Sequence, residues 1–207
     1  KLLCEDTRIA SRLLKRYEIT TKCTPYHDHN AARVLPALLE ELKSGATLGL
    51  VSDAGTPLIA DPGYRLVTEA IAAGITIIPI PGACAITTAL SCAGLPTNKF
   101  YFGGFLPRTE FALKKEITQM QHLPITLVYF ESPHRITHQL QRLAEHTPNR
   151  FAVIARELTK KFETVHRGRL DSLATLLESQ TVSIKGEWAI LIGPADYTPT
   201  WASTDGC

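Results

Sequence analysis

The 207 residues carry 22 Lys or Arg against 20 Asp or Glu, a formal net charge of +2, with 44% hydrophobic and 20% charged residues. That balance excludes a disordered chain, and the length suffices for one large domain or two small ones with a real core. The charge is unevenly placed: residues 1–43 hold eight Lys or Arg and residues 99–169 hold twelve, whereas residues 44–98 hold only Arg65. A phosphate-rich partner would therefore meet the flanks, not the middle.

In chain order, Thr7 to Tyr17 reads as an amphipathic helix with Ile9, Leu13 and Leu14 on one side. Ala31 to Lys43 is a second helix, closed by Gly45. Thr47 to Ser52 is a short apolar run suited to a parallel strand covered on both faces. A turn-rich loop leads to a helix over Tyr64–Ala73, a β-branched strand over Ile75–Ile80 and a small-residue helix over Ala83–Ala93. This alternation predicts an α/β domain with a parallel sheet, residues 1–97. Gly94-Leu95-Pro96-Thr97-Asn98 is the linker candidate.

Beyond it the pattern predicts strands at 100–105, 125–130, 151–156, 162–167 and 188–192 and helices at 110–121, 133–145 and 170–178. They make a second α/β unit, residues 98–193. The tail, 194–207, lacks periodicity and reads as loosely ordered. The opening Lys-Leu-Leu-Cys-Glu-Asp-Thr-Arg looks like mid-element, as if a first strand were missing upstream.

Five cysteines, at 4, 23, 84, 92 and 207, are odd in number and show no CxxC spacing. They argue against a disulfide framework or a zinc site and fit a reducing cytoplasm, and the first residues have no signal-peptide pattern. Residues 71–95 hold no charge, but Pro79, Pro81 and Gly82 break their centre. A membrane span so broken would leave backbone groups unpaired, so a buried strand, turn and helix are expected instead.

The loops at 52–63 and 81–83 both follow predicted strands of a parallel sheet, where α/β domains bind ligands. Neither GxGxxG nor GxxxxGK[ST] is present, and no basic residue lies from 44 to 64. The loop offers Asp53 and Asp61 instead, which suit hydroxyls or a cation. S-adenosylmethionine fits that chemistry better than a dinucleotide; sugars and free amino acids fit it as well.

Cys-Glu-Asp-Thr-Arg at 4–8, Tyr-His-Asp-His-Asn at 26–30 and Ser-Asp-Ala-Gly-Thr-Pro-Leu-Ile-Ala-Asp-Pro-Gly at 52–63 together resemble one family. Pro-Gly-Ala-Cys-Ala at 81–85, Glu-Ser-Pro-His-Arg at 131–135, Ala-Arg-Glu-Leu-Thr-Lys at 155–160 and Lys-Gly-Glu at 185–187 extend the match over nearly all of residues 3–193. The family is the ribosomal RNA small subunit methyltransferase I group of the tetrapyrrole methylase superfamily. The resemblance implies two α/β domains, a parallel sheet in the first and a mixed sheet in the second. It also implies S-adenosylmethionine in a cleft between them and a homodimer. The implied reaction is 2′-O-methylation of a cytidine ribose in the decoding region of 16S rRNA within the 30S subunit. By motif position, Asp53, Ala54, Gly55, Thr56, Ile59, Cys84, Ala85, Phe130 and Glu187 would line the donor. The family motif usually has Ala where this chain has Cys4, and family members extend past residue 193 into a small helical region.

The chemistry needs a positioned hydroxyl and gains from a base. Base candidates are Asp6, His27, Glu131 and Glu157, with Asp6 and Glu131 preferred as catalytic residues. Asp6 equally suits the cap of the helix starting at Thr7. His27 and His29 have no carboxylate or Cys at ligand spacing, so no metal is expected. Arg8, Arg135, Arg156 and Lys160, the basic residues inside the motifs, are assigned to RNA. Two alternatives remain at this point: a methyltransferase acting on a tetrapyrrole-like small molecule, and a non-catalytic ribosome-binding module.

Overall fold

The computed structural model describes residues 1–204. The chain divides into two units, Lys1–Cys84 and the residues from Ala85 onward.

The first unit is built on three short parallel strands. β1 (Leu2–Cys4) is central, with β2 (Cys23–Pro25) on one side and β3 (Gly49–Val51) on the other. Leu2-Leu3-Cys4 is too short to show a period, and only its two neighbours reveal it as a strand. Between the strands run α1 (Thr7–Arg16) and α2 (Asp28–Lys43), and α3 (Tyr64–Ala72) follows the long loop. Helix α2 starts three residues earlier than expected because Asn30 caps it, accepting from the His27 amide at 3.0 Å. Leu3, Tyr26, Ala31, Leu38 and Leu66 form the core, with Val34, Leu35, Leu42, Leu48 and Leu50 packed round it. Helix α1 departs from its expected amphipathic orientation: Ala10 is its buried residue, while Ile9 and Leu13 are exposed.

The expected strand at Ile75–Ile80 is absent, and the segment pairs with no strand among the described residues. Ile78 is 74% and Ile80 80% exposed. A β-branched run becomes a strand only where a sheet edge takes up its N–H groups, and Pro79 offers none.

The second unit begins one helix before the expected boundary at 97, because α4 (Ala85–Ala93) packs against β8 (Trp188–Ile192). The sheet runs β4 (Phe100–Phe105), β5 (Thr126–Glu131), β8, β6 (Phe151–Arg156), β7 (Thr164–Arg169). Only β4 and β5 are parallel, and the other three pairings are antiparallel, so the sheet is mixed as expected. Helices α5 (Glu110–Met120), α6 (Ile136–His146) and α7 (Leu170–Glu178) supply Leu113, Ile117, Ile136, Leu140, Leu143, Leu170, Leu173 and Leu177 to one core. Leu127, Tyr129, Ile154, Trp188, Ile190 and Ile192 meet them from the strands. Period-2 alternation sends the equally buried Val128, Val153 and Leu191 to the opposite face.

The residues after 193 are tied down, against the expected loose tail. Trp201 donates its indole N–H to the Gly94 carbonyl at 3.0 Å and packs edge-on against Phe151 at 5.7 Å. Residues 205–207, the rest of that expected tail, lie outside the described residues.

Candidate functional site

In the first unit the chain leaves β3 and turns sharply. Ser52 donates its hydroxyl to the Gly55 carbonyl at 3.0 Å, closing a tight turn. Gly55 has φ +86°, a conformation that costs an L residue about 1 kcal/mol or more. Leu58 and Ala60 bear this cost, at φ +72° and +62°. Thr56 donates its hydroxyl to the carbonyl of Ala83 at 2.8 Å, which joins this loop to the one before α4. Asp53 Oδ1 accepts from the amide of Asp6 at 3.3 Å, which joins it to the loop after β1. Three loops thus meet, two of them at the carboxyl ends of parallel strands. Asp53, Ala54, Gly55 and Ile59 are exposed there, and Thr56 and Cys84 are half-buried.

The place is acidic. The Glu5 carboxyl is held above its ordinary value by burial, then by Asp53, Asp61 and Asp28, with only His27 opposing. Such a field repels phosphate and attracts a cation. Together with the exposed loop backbone, it fits a sulfonium- and ammonium-bearing donor with ribose hydroxyls. Glu5 was missed in the sequence because nothing there shows which carboxylates converge.

Asp6 is the cap of α1. Its carboxylate accepts from the Arg8 amide at 2.8 Å and from the Arg8 guanidinium at 2.6 Å. These Arg8 hydrogen bonds pull its pKa down to about 2. A carboxylate held that low is a poor proton acceptor at neutral pH, and the capping role that its place before Thr7 suggests is the one seen here. Arg8 is correspondingly committed to Asp6, though its side chain is otherwise open to solvent.

In the second unit Phe130 packs edge-on with Phe102 at 4.9 Å and Phe105 at 6.1 Å. The next residue, Glu131, has a fully buried side chain. One oxygen accepts from the Ser132 amide at 2.7 Å, and the other lies 3.1 Å from Arg135 Nη2 at an angle that makes an ion pair without a hydrogen bond. Burial pushes its carboxyl above the ordinary range. Glu131 thus anchors Arg135 and the turn after β5, at the strand end where a catalytic role is expected.

Arg156, an expected RNA contact, is held by the protein around it. It is buried, and its guanidinium donates to Thr164 Oγ1 at 3.2 Å, to the Lys185 carbonyl at 2.9 Å and to the Phe162 carbonyl at 2.9 Å. Three of its five N–H groups are thus spent on the protein. Lys160 bridges Glu157 at 3.0 Å and Glu187 at 2.7 Å, and the Glu187 amide donates to Glu157 Oε1 at 2.9 Å. The expected RNA contact Lys160 and the expected donor contact Glu187 are therefore partners of each other. Gly186 has φ +110°, and a Cβ there would lie 2.5 Å from Glu157 Cγ, which explains the glycine in Lys-Gly-Glu. Ala85 opens α4 and is exposed. Among the described residues no cluster of three His, Cys, Asp or Glu is arranged to hold a metal ion.

Comparison with known proteins adds the following. Residues 2–174 match the family model described as tetrapyrrole (corrin/porphyrin) methylases. The chain is 44% identical over 189 residues to the ribosomal RNA small subunit methyltransferase I of Vibrio cholerae, covering 91% of this chain and 66% of that protein. It is 45% identical over 198 residues to the protein of the same name from Xylella fastidiosa, covering 94% of this chain and 72% of that one. It therefore spans about two thirds of the length of these relatives. Among solved structures, diphthine synthase superimposes with a TM-score of 0.71 at 16% identity, covering 93% of this chain and 78% of that one, a likeness of fold.

Proposed function

The chain belongs to the tetrapyrrole methylase family, and from that premise we propose that it methylates the 2′-hydroxyl of a cytidine ribose in the decoding region of 16S rRNA, with S-adenosylmethionine as donor. The observation that carries the donor is the acidic meeting of the loops at Glu5–Asp6, Asp53–Thr56 and Ala83. The acceptor rests on the likeness to the two small subunit methyltransferases. When bound, S-adenosylmethionine supplies a methyl group on a sulfonium.

The protein's residues do the rest. Asp53 offers a carboxylate to the positive donor, Gly55 lets its backbone approach, and the Thr56–Ala83 hydrogen bond holds the two loops at fixed spacing. Cys84 and Ile59 line the same loops. Arg8, with its exposed guanidinium, faces RNA in this reading, and Arg135 holds the turn after β5 through Glu131 and Leu106. Positioning supplies most of the acceleration, since a well-oriented hydroxyl facing a sulfonium gains an effective molarity on the order of 10⁵ M or more. The reading places a homodimer in the bacterial cytoplasm, acting on the 30S subunit.

Tritiated S-adenosylmethionine incubated with 30S subunits that lack the modification tests it, with tetrapyrrole precursors in parallel. Label mapped to a ribose of 16S rRNA is expected. Label in the tetrapyrrole overturns the acceptor, and absence of donor binding by calorimetry overturns the assignment of the loops.

A further inference from the structure

Helix α6 carries Gln139 and Arg142 three residues apart, and Arg135, its cap, lies four before Gln139, so all three share one face. They hold three consecutive carbonyls of the loop between β4 and α5. Arg135 Nη2 donates to Leu106 O at 2.6 Å, Gln139 Nε2 to Pro107 O at 2.8 Å and Arg142 Nη1 to Arg108 O at 3.4 Å. Gln139 and Arg142 are buried. Arg142 Nε also pairs with Glu110, whose other oxygen contacts His146 Nε2 at 2.8 Å. Thr109 completes the clamp, capping α5 by accepting from the Ala112 amide at 3.3 Å.

This clamped loop and the elements at its two ends present an unusual surface. Phe111 is 81% exposed, the highest value of any large apolar side chain among the described residues, and Phe105 is 51% exposed. Arg108, Lys114 and Lys115 are exposed beside them, and the two lysines follow Phe111 by three and four residues on the same face of α5. Glu110 is the sole carboxylate in 105–115, and it is consumed by Arg142 and His146. The outward charge is therefore positive, and the clamped loop fixes the end of β4 that carries Phe105 and the start of α5 that carries Phe111.

We propose that Phe105, Arg108, Phe111, Lys114 and Lys115 form a stacking platform for single-stranded RNA. Phe111 takes the face of an unpaired base, Phe105 flanks it, and the three cations take the phosphates on either side. Every base has a π-face, so such a platform holds a strand without reading its sequence. The clamped loop spares the cost of ordering the backbone between the two rings on binding. The inference rests on the RNA reading above and adds the residues that grip the strand.

The test measures binding of protein-free 16S rRNA and, separately, of S-adenosylmethionine. Phe111→Ala is expected to weaken RNA binding by about tenfold and leave donor affinity unchanged. Phe111→Trp is expected to restore RNA affinity, with its added fluorescence quenched by the RNA. Unaltered RNA affinity in Phe111→Ala, or no quenching in Phe111→Trp, overturns the platform and leaves the proposed reaction standing. Failure of the unsubstituted chain to bind either protein-free 16S rRNA or 30S subunits overturns both. If Phe111→Ala instead dissociates copies of the chain in sedimentation, the face is a contact between copies and the platform is overturned.

Discussion

Thr56 donates its hydroxyl to the carbonyl of Ala83 at 2.8 Å. The bond spans 27 positions of sequence and fixes the spacing of two loops that carry six of the expected donor contacts. Thr56→Val keeps the shape and removes the donor. Affinity for S-adenosylmethionine, read by calorimetry, should fall about fivefold, the worth of one net hydrogen bond. Thr56→Ser should recover it.

Gly186 and Glu157 occupy each other's space. A methyl group at 186 would sit 2.5 Å from Glu157 Cγ, on a backbone at φ +110° that side chains rarely adopt. Gly186→Ala should destabilise the protein by about 2–4 kcal/mol, read from the denaturant midpoint. Glu157→Ala in the same chain should recover the part due to the clash but not the part due to φ.

Arg156 separates the structural from the RNA-contacting reading of a motif arginine. Its three bonds go to Thr164, Lys185 and Phe162. Arg156→Lys keeps the charge and loses the fork. Stability should fall by about 2–4 kcal/mol by denaturant unfolding. The RNA affinity of the folded fraction should stay as it was. A drop in RNA affinity at unchanged stability would restore the phosphate assignment.

His166 gives the stability a pH dependence. Burial, then Arg156, lowers its pKa below the ordinary 6.5, and its Nε2 is buried without a partner. The unfolded chain takes up its proton near pH 6.5, while the folded chain resists until lower pH. The stability is therefore complete above about pH 6.5 and is lost as pH falls through that value toward the folded pKa. Denaturant midpoints between about pH 8 and about pH 5 should decline in the unaltered protein and decline less in His166→Phe.

Much of the fold is legible from local pattern. Phe151–Arg156 and Trp188–Ile192 read as buried strands because apolar runs of that length have few other uses, and Leu170–Glu178 reads as a helix from its period. Ile75–Ile80 has the same strand signature and is unpaired, because pairing needs a neighbouring edge that the segment's own residues cannot supply. Leu2–Cys4 is the reverse, a three-residue strand with no signature that lies at the centre of its sheet.

The site divides in the same way. The absence of basic residues from 44 to 64, the turn chemistry of 52–63 and the order of the motifs are written in the chain, and they favour a cationic or hydroxyl-bearing ligand over a phosphate. Which motif residue faces a ligand and which is spent inside the protein is not written there. Glu131, Arg156 and Lys160 all stand in motifs, yet one is buried against Arg135, one grips the carbonyls of 162 and 185, and one bridges two glutamates. Residue type and spacing set what a side chain is able to bond. The partner it does bond comes from a segment far along the chain, and only folding brings that segment within reach.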